Sequence, residues 1–430
     1  MSSETLKIFL AMAAYMLVVI GIGLFFAKRA QANSENYFLG GRSLGPWVAA
    51  MSAEASDMSG WLLMGLPGVA YWCGISDAMW TALGLAIGTY INWLIVARRL
   101  RRYSAVSGDA ITVPDFLSNR FHEKNKVILG ISALFILVFF TVYAASCFVT
   151  CGKLFSTLFG FSYHSMMIAG AVFVVVYTFI GGFLAESASD FMQAVVMVIA
   201  LITILVLGTI SAGGVGAVVD NARAIPGFFS PTAIATPVVD ANGVQQAADG
   251  VPLFGEAGSY GFLTIISTLS WGLGYFGVPQ VLLRFMAIRK EEQLKQSRRI
   301  ATVWCVISLF AAVCIGLIGR ALFPTEASLA TSSGAENVFV VLSQALLSPV
   351  LAGVIMAGIL AATISSSDSY LLIAASAFSK NIYEGIMKKN QADDKVVMRV
   401  SRIVLLLIAL IGIVIAWDED SVIFSIVSFA

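Results

Sequence analysis

Long runs of uncharged, mostly apolar residues constrain this chain more than any other feature of its sequence. A helix needs about 20 residues to cross the ~30 Å hydrocarbon core of a bilayer. Such runs far exceed the length of a barrel strand, so the sequence predicts an all-α multipass membrane protein. The ten complete runs, and an eleventh that only begins, are 8–27, 44–72, 78–97, 127–152, 165–185, 191–219, 257–283, 300–319, 350–379, 403–417 and 421–430.

The composition agrees with this prediction. Of the 430 residues 59% are apolar and only 12% are charged, whereas about a quarter of a soluble domain is charged. We therefore expect the lipid bilayer as the surrounding partner. The net charge of +1 excludes a nucleic-acid-binding surface as the organising feature. Cys147 and Cys151 lie four residues apart, and packing explains them better than a metal site does.

The basic residues predict the orientation of the spans. Segments 28–43, 98–126, 284–299 and 380–402 hold 22 of the 26 Lys and Arg residues, and they alternate along the chain. Because basic loops stay in the cytoplasm, these four are predicted to be cytoplasmic and the N-terminus to lie outside. Segment 214–256, with four prolines, is then the one long connection on the outer side.

Polar residues interrupt the second span at 51–60, which contains Glu54, Asp57 and three serines. A charge at mid-depth costs ~2.5–3.5 kcal/mol or more when it faces lipid, so these side chains are predicted to face the protein interior. The alternative is a helix that starts here, with Ser56 or Asp57 as its N-cap and a span over 58–72.

Two further segments break the apolar pattern. At 267–280, three glycines and Pro279 weaken the seventh span, and Trp271 and Tyr275 project to one side of the weak point. Glycine-assisted helix packing is the alternative explanation. At 361–370, a cluster of hydroxyls offers oxygen ligands for a hard cation, although serines also bond back to their own helix.

The second and seventh spans are five apart, and both are interrupted. This spacing predicts two five-helix repeats, 44–213 and 260–430, with residues 1–43 as an extra N-terminal helix and loop, and 214–259 as an extracytoplasmic loop. An odd number of spans per repeat inverts the second copy, and inverted-repeat carriers place their broken helices at the substrate. Only ten residues of the last helix are present, about 15 Å, so we expect a C-terminally truncated copy of a longer carrier.

At these residues the chain resembles the sodium/solute symporter family, and within it the proline branch. The resemblance covers essentially the whole chain and implies a five-plus-five inverted repeat of leucine-transporter type. The matching stretches are 40–45 (GGRSLG), 52–68 (SAEASDMSGWLLMGLPG), 112–115 (TVPD), 177–185 (YTFIGGFLA), 271–277 (WGLGYFG) and 284–287 (RFMA).

The resemblance also implies roles for individual residues. The sodium ligands would be the carbonyls of Ala55, Met58 and Ala362 with the hydroxyls of Ser365 and Ser366. Asp57 and Asp190 would couple ion and substrate movement. The substrate pocket would include Ser59, Trp61, Tyr143, Trp271, Tyr275 and Pro279. Sodium is the co-transported ion, and no organic cofactor or other metal is expected.

The expected function is that of a monomeric carrier in the bacterial cytoplasmic membrane, importing L-proline with sodium by alternating access. Enzymatic activity is not expected, because the spans hold no catalytic pair or metal set. Glu54, Val278 and Gln280 depart from the proline pattern, so another small solute is one alternative. A membrane sensor module built on the same fold is a second.

Overall fold

The computed structural model describes residues 3–30 and 33–429. In chain order its α-helices are α1 (Ser3–Ala30), α2 (Ser34–Leu39), α3 (Pro46–Asp57), α4 (Leu66–Cys73), α5 (Ile75–Val106), α6 (Val113–Arg120), α7 (Val127–Phe159), α8 (Tyr163–Ser211), α9 (Val215–Ala224), α10 (Phe262–Leu269), α11 (Trp271–Gly274), α12 (Pro279–Ala287), α13 (Leu294–Leu322), α14 (Ser332–Ala335), α15 (Val338–Leu346), α16 (Pro349–Ser376), α17 (Asp394–Ile415) and α18 (Ile423–Phe429). Two π-helical segments, Trp61–Gly65 and Ala377–Met387, adjoin α4 and α16. Short 3-10 turns occur at Gly40–Arg42, Glu291–Gln293 and Ala327–Leu329. The strands are β1 (Ala233–Ile234), β2 (Ala247–Ala248), β3 (Val251–Pro252) and β4 (Gly258–Ser259).

The predicted spans are present as helices. Eight helices among the described residues are long and apolar enough to cross a membrane. The two remaining predicted spans, 44–72 and 165–185, are divided into shorter helices because a break lies within or beside each. In the first of them α3 ends at Asp57 and helical structure resumes at Trp61, as the polar residues predicted. The N-cap alternative is wrong, because α3 already covers the residues before the break.

The predicted interruption of the seventh span is confirmed. Helices α10 and α11 lead into a non-helical stretch at 275–278, and α12 restarts at Pro279. The packing alternative also holds for one glycine. A Cβ atom on Gly272 would lie 2.0 Å from the carbonyl oxygen of Gly84, so the broken span packs directly against α5.

A further break in α8 was not predicted. Gly182 has φ 58°, a left-handed conformation that favours glycine, and it divides the helix in two. A Cβ atom there would come within 2.8 Å of the Tyr37 ring. The consequence is that Glu186 and Asp190, which the apolar runs placed between two spans, lie inside the second half of α8.

Helix α16 is the centre of the bundle. It contacts α1, α3, α7 and α8, and residues 355–377 are all buried. The hydroxyl cluster predicted at 361–370 therefore lies on a helix with no exposed face at that depth.

The connections on the predicted outer side are more structured than expected. Segment 214–259 carries α9 and two small antiparallel sheets, β1 with β4 and β2 with β3. The prediction of a single long connection on this side is wrong. The segment 323–348 also connects two spans, and it contacts the first connection where Gln245 N–H donates to Ala330 at 2.6 Å. Its helix α15 has nine residues, too few to register as a span.

We predict that Gly88→Ala destabilises the fold. A Cβ atom at Gly88 would lie 2.3 Å from the carbonyl oxygen of Gly272, and overpacking of this kind costs about 1–3 kcal/mol. Gly21→Ala on α1 is the control, because nothing lies within 4 Å of its added Cβ atom. Thermal unfolding in detergent should show a lower midpoint for Gly88→Ala alone. Equal midpoints would contradict the close approach of α5 and α11.

Candidate functional site

The break after α3 brings a backbone carbonyl to the hydroxyl cluster of α16. Because α3 ends at Asp57, the Ala55 carbonyl is among those without a partner in their own helix. It accepts hydrogen bonds from Ser365 Oγ at 2.8 Å and Ser366 Oγ at 3.2 Å. Ser365 Oγ also lies 3.1 Å from the Ala362 carbonyl oxygen. Four of the five residues predicted to bind sodium thus meet in one buried cluster of oxygens.

The fifth predicted ligand, Met58, lies in the break itself. Its N–H donates to the Glu54 carbonyl at 2.8 Å, and its side chain is fully buried. Carbonyls at the C-terminal end of a helix carry partial negative charge, and hard cations prefer such oxygens together with hydroxyls. The arrangement is therefore chemically suited to a small monovalent cation.

Asp57 joins this cluster to the aromatic side chains around it. Its carbonyl oxygen accepts three hydrogen bonds from side chains, each of 3.3 Å, from Trp61 Nε1, Tyr143 Oη and Tyr370 Oη. The rings of Tyr143 and Tyr370 stack with centroids 4.1 Å apart. The Asp57 carboxylate accepts a separate bond of 3.1 Å from Gln280 Nε2. Asp57 is thus in contact with α7, α12 and α16 at once.

The predicted substrate residues surround one cavity. Its volume is about 600 Å³, within the usual range for small-molecule sites. Trp61 and Trp271 meet edge to face at 5.9 Å, and Trp271 stacks on Phe424 at 5.0 Å. Ser59 is buried beside this region without lining the cavity. The predicted residues that line it are Asp57, Trp61, Tyr143, Trp271, Tyr275 and Pro279.

Asp190 lies elsewhere, in a buried ion cluster with Arg284. Asp190 Oδ2 accepts from Ser52 Oγ at 2.6 Å and from Arg284 Nη2 at 3.1 Å. The same guanidinium pairs with Glu186 and donates to Ser369 Oγ at 2.9 Å. The cluster ties α3, α8, α12 and α16 together beside the ion-ligand oxygens.

Sequence reasoning missed most of this cluster. Arg284 was counted with a cytoplasmic loop, but it is fully buried within the bundle. Glu186 stands four residues before Asp190, so the two carboxylates share a helix face. Acidic residues in an apolar stretch are a signal of an interior site, and applying it to 186–190 would have found both.

A second buried ion pair, between Lys153 and Glu336, supports the cavity residue Trp271 through α18. Lys153 Nζ lies 2.6 Å from Glu336 Oε2 and donates to the Ser421 carbonyl at 2.6 Å. Glu336 also accepts from the backbone N–H groups of Ile423 and Phe424, each at 3.0 Å. The pair therefore fixes the start of α18 and, through Phe424, the ring that stacks on Trp271.

The model of the sodium:solute symporter family matches residues 37–430. Sodium/proline symporters of Staphylococcus aureus, strains USA300 / TCH1516 and JH9, are 40% identical to the chain over 424 residues. Each match covers 98% of this chain and 77% of the relative.

Solved structures share the fold. A Na⁺-coupled sialic acid symporter in a substrate-bound outward-open state matches with a TM-score of 0.76 at 18% identity, over 96% of this chain and 82% of that one. MhsT in complex with L-phenylalanine matches with a TM-score of 0.56 at 14% identity, over 89% and 86% of the two chains. The predicted all-α multipass fold of leucine-transporter type is confirmed. The bounds of the two repeats stay a prediction.

We predict that Arg284→Met destabilises the protein strongly. The change leaves Glu186 and Asp190 buried without a cation, which costs about 3–5 kcal/mol. Glu186→Gln in the same chain should restore part of the loss, because it removes one of the stranded charges. Arg98→Met is the control, since Arg98 pairs with Glu291 at the surface and should matter little. Thermal unfolding of the four proteins measures this; equal midpoints for the two arginine variants would contradict it.

Proposed function

We propose that this chain, which belongs to the sodium:solute symporter family, imports L-proline together with sodium by alternating access. The observation that carries the proposal is the meeting of Ala55 and Ser365, 310 residues apart, beside the cavity that Asp57 lines. An ion bound between α3 and α16 would hold the end of the broken helix, and that helix also forms part of the cavity wall.

The driving force follows from the charge that moves. One elementary charge crossing ~100 mV releases about 2.3 kcal/mol, which corresponds to roughly fifty-fold accumulation of solute before any sodium gradient is added. Sodium that favours one arrangement of α3 and α16 would raise the affinity for substrate, and substrate would raise sodium affinity by the same factor.

The chemistry of the cavity supports a small zwitterionic solute as substrate. Trp61, Tyr143 and Trp271 supply apolar surface with polar edges, and Asp57 supplies a hydrogen-bonding group at its base. Relatives named sodium/proline symporters, 40% identical to the chain, support proline within that class. Gln280 is held by Asp57 where the proline pattern differs, so a related small solute is the second candidate.

The same proposal places a monomer in the bacterial cytoplasmic membrane with its N-terminus outside. The alternation of basic segments along the sequence supports this orientation. Because Arg284 is buried in the bundle, it no longer counts among the 22 basic residues of the four predicted cytoplasmic segments. The other basic residues still alternate along the chain, so the predicted orientation is the same.

Uptake of labelled proline into membrane vesicles tests the function. An inward sodium gradient should stimulate uptake, and unlabelled proline should compete with it. Sodium-independent uptake would overturn the coupling. Sodium-driven uptake of another solute that proline does not inhibit would overturn the substrate and leave the coupling intact.

We predict that Ser365→Ala and Ser366→Ala each raise the sodium concentration for half-maximal uptake about tenfold, because each removes one ion-ligand oxygen. Ser367→Ala is the matched control. Ser367 is equally buried on the same helix, but its hydroxyl bonds the Thr363 carbonyl within that helix at 2.5 Å. Sodium titration of uptake, normalised to protein level, measures the effect. An unchanged sodium requirement in both variants would rule out this ion site.

We predict that Trp271→Ala weakens proline affinity about tenfold or more while sodium binding is retained, because the ring forms a wall of the cavity. Leu273→Ala serves as the control, since Leu273 lies two residues along α11 with its side chain 67% exposed. Competition binding with labelled proline gives the affinity. A loss of the same size in both variants would indicate a general effect on α11.

A further inference from the structure

A small void lies beside α3, next to Glu54 and Asp57. It is bounded by α3, α5 and the interrupted seventh span, and it is too small to admit a water molecule. Five of its seven lining residues carry oxygen on their side chains. The lining is Glu54, Asp57, Thr89, Asn92, Trp93, Tyr275 and Val281.

Two side chains that line the void have polar atoms with no partner among residues 3–30 and 33–429. Asn92 is fully buried; its Nδ2 donates to the Tyr275 carbonyl at 2.6 Å, and its Oδ1 accepts nothing. The Tyr275 hydroxyl, on a side chain only 4% exposed, lies beside the Asp57 carboxylate but makes no hydrogen bond of ordinary geometry. Leaving such a group unpaired costs about 1–3 kcal/mol, so both oxygens point to a missing ligand.

The two carboxylates at the void also lack a counter-charge. Glu54 and Asp57 are buried three residues apart on α3, and Glu54 accepts only a long bond of 3.4 Å from Trp93 Nε1. No ion pair in the described part of the chain includes either of them. The guanidinium of Arg284, which contacts this helix at Ser52, is paired with Glu186 and Asp190 instead. Buried carboxylates without a cation are strongly disfavoured.

We propose that this void is a second sodium-binding site, distinct from the oxygen cluster of Ala55 and Ser365. The ion would be held without water by the carboxylates of Glu54 and Asp57, the Asn92 Oδ1 and the hydroxyls of Thr89 and Tyr275. All are hard oxygen ligands, and the size of the void selects a small dehydrated cation.

This site rests on the proposed sodium coupling and extends it. Asp57 turns its carboxylate to the void side and its carbonyl to the residues of the cavity wall. Occupation of the void would therefore hold the carboxylate that Gln280 now contacts, and with it the base of the cavity. Two sodium ions would then be bound per substrate, one on each side of the same helix break.

Equilibrium binding of ²²Na⁺ to purified protein in detergent, without substrate, tests the proposal. The unaltered protein should bind two ions per chain. Thr89→Val keeps the shape of the side chain and removes its oxygen, so it should weaken one of the two sites at least tenfold. Thr89→Ser should restore binding. Thr81→Val is the matched control. Thr81 lies on the same helix as Thr89 and is buried, and its hydroxyl has no hydrogen-bond partner among the described residues. It does not line the void.

The double variant Ser365→Ala with Ser366→Ala distinguishes the two sites. It should lose sodium binding at the Ala55 and Ser365 cluster and retain sodium binding at the void, which Thr89→Val weakens. If Thr89→Val gives no folded protein, Glu54→Gln carries the same expectation. One bound ion, lost in the double serine variant and unaffected by Thr89→Val or Glu54→Gln, would overturn the second site and leave the proposed function standing. Two bound ions without proline uptake would support the site and overturn proline as the substrate. No bound sodium would overturn both.

Discussion

A shortage of positive charge inside the helix bundle governs the arrangement of this molecule. Of the seven buried carboxylates in the described chain, five lie on or beside the interrupted helices, and Arg284 is the one cation that pairs with any of these five. An isolated charge in such surroundings is costly, so each carboxylate must lie where hydroxyls, amides or an entering cation can reach it. The five are Glu54, Asp57, Glu186, Asp190 and Asp368.

The break after α3 is where these demands meet the binding cavity. The break at 58–60 leaves the Ala55 carbonyl free to meet α16 and the Asp57 carbonyl free to meet Tyr143 and Tyr370. A continuous helix would have used both carbonyls internally and left the hydroxyls of α16 to bond within their own helix. The interruption therefore converts ordinary helical hydrogen-bonding groups into a contact between ion ligands and cavity wall.

The membrane spans and the interruption of the second span could be predicted from the sequence, each for a different physical reason. Apolar runs identify spans because the thickness of the bilayer sets the length of a membrane-crossing helix. Glu54 and Asp57 indicate a special site within a span, because charged side chains at that depth must face the protein interior and not lipid. The pairing of Ala55 with Ser365 rested on the family resemblance, because no local pattern links positions so far apart.

Other features depend on tertiary contacts that leave no periodic signal. Gly182 breaks α8 inside a run that reads as an ordinary span, and only the ring of Tyr37 shows why a glycine is needed there. The burial of Arg284 depends on two carboxylates that lie nearly a hundred residues earlier. In both cases the residue type was visible, but its partner was not.

The clasp formed by Lys153 and Glu336 has a consequence for biogenesis. Its members are separated by 183 positions, and Glu336 reaches on to the N–H groups of Ile423 and Phe424. A chain synthesised from its N-terminus cannot pair Lys153 with Glu336 until Glu336 has left the ribosome, and the contacts to Ile423 and Phe424 follow later still. During that interval Lys153 sits at the end of an inserted helix without its counter-charge. The ring of Phe424, which stacks on the cavity residue Trp271, is thus among the last parts of the described chain to take its place.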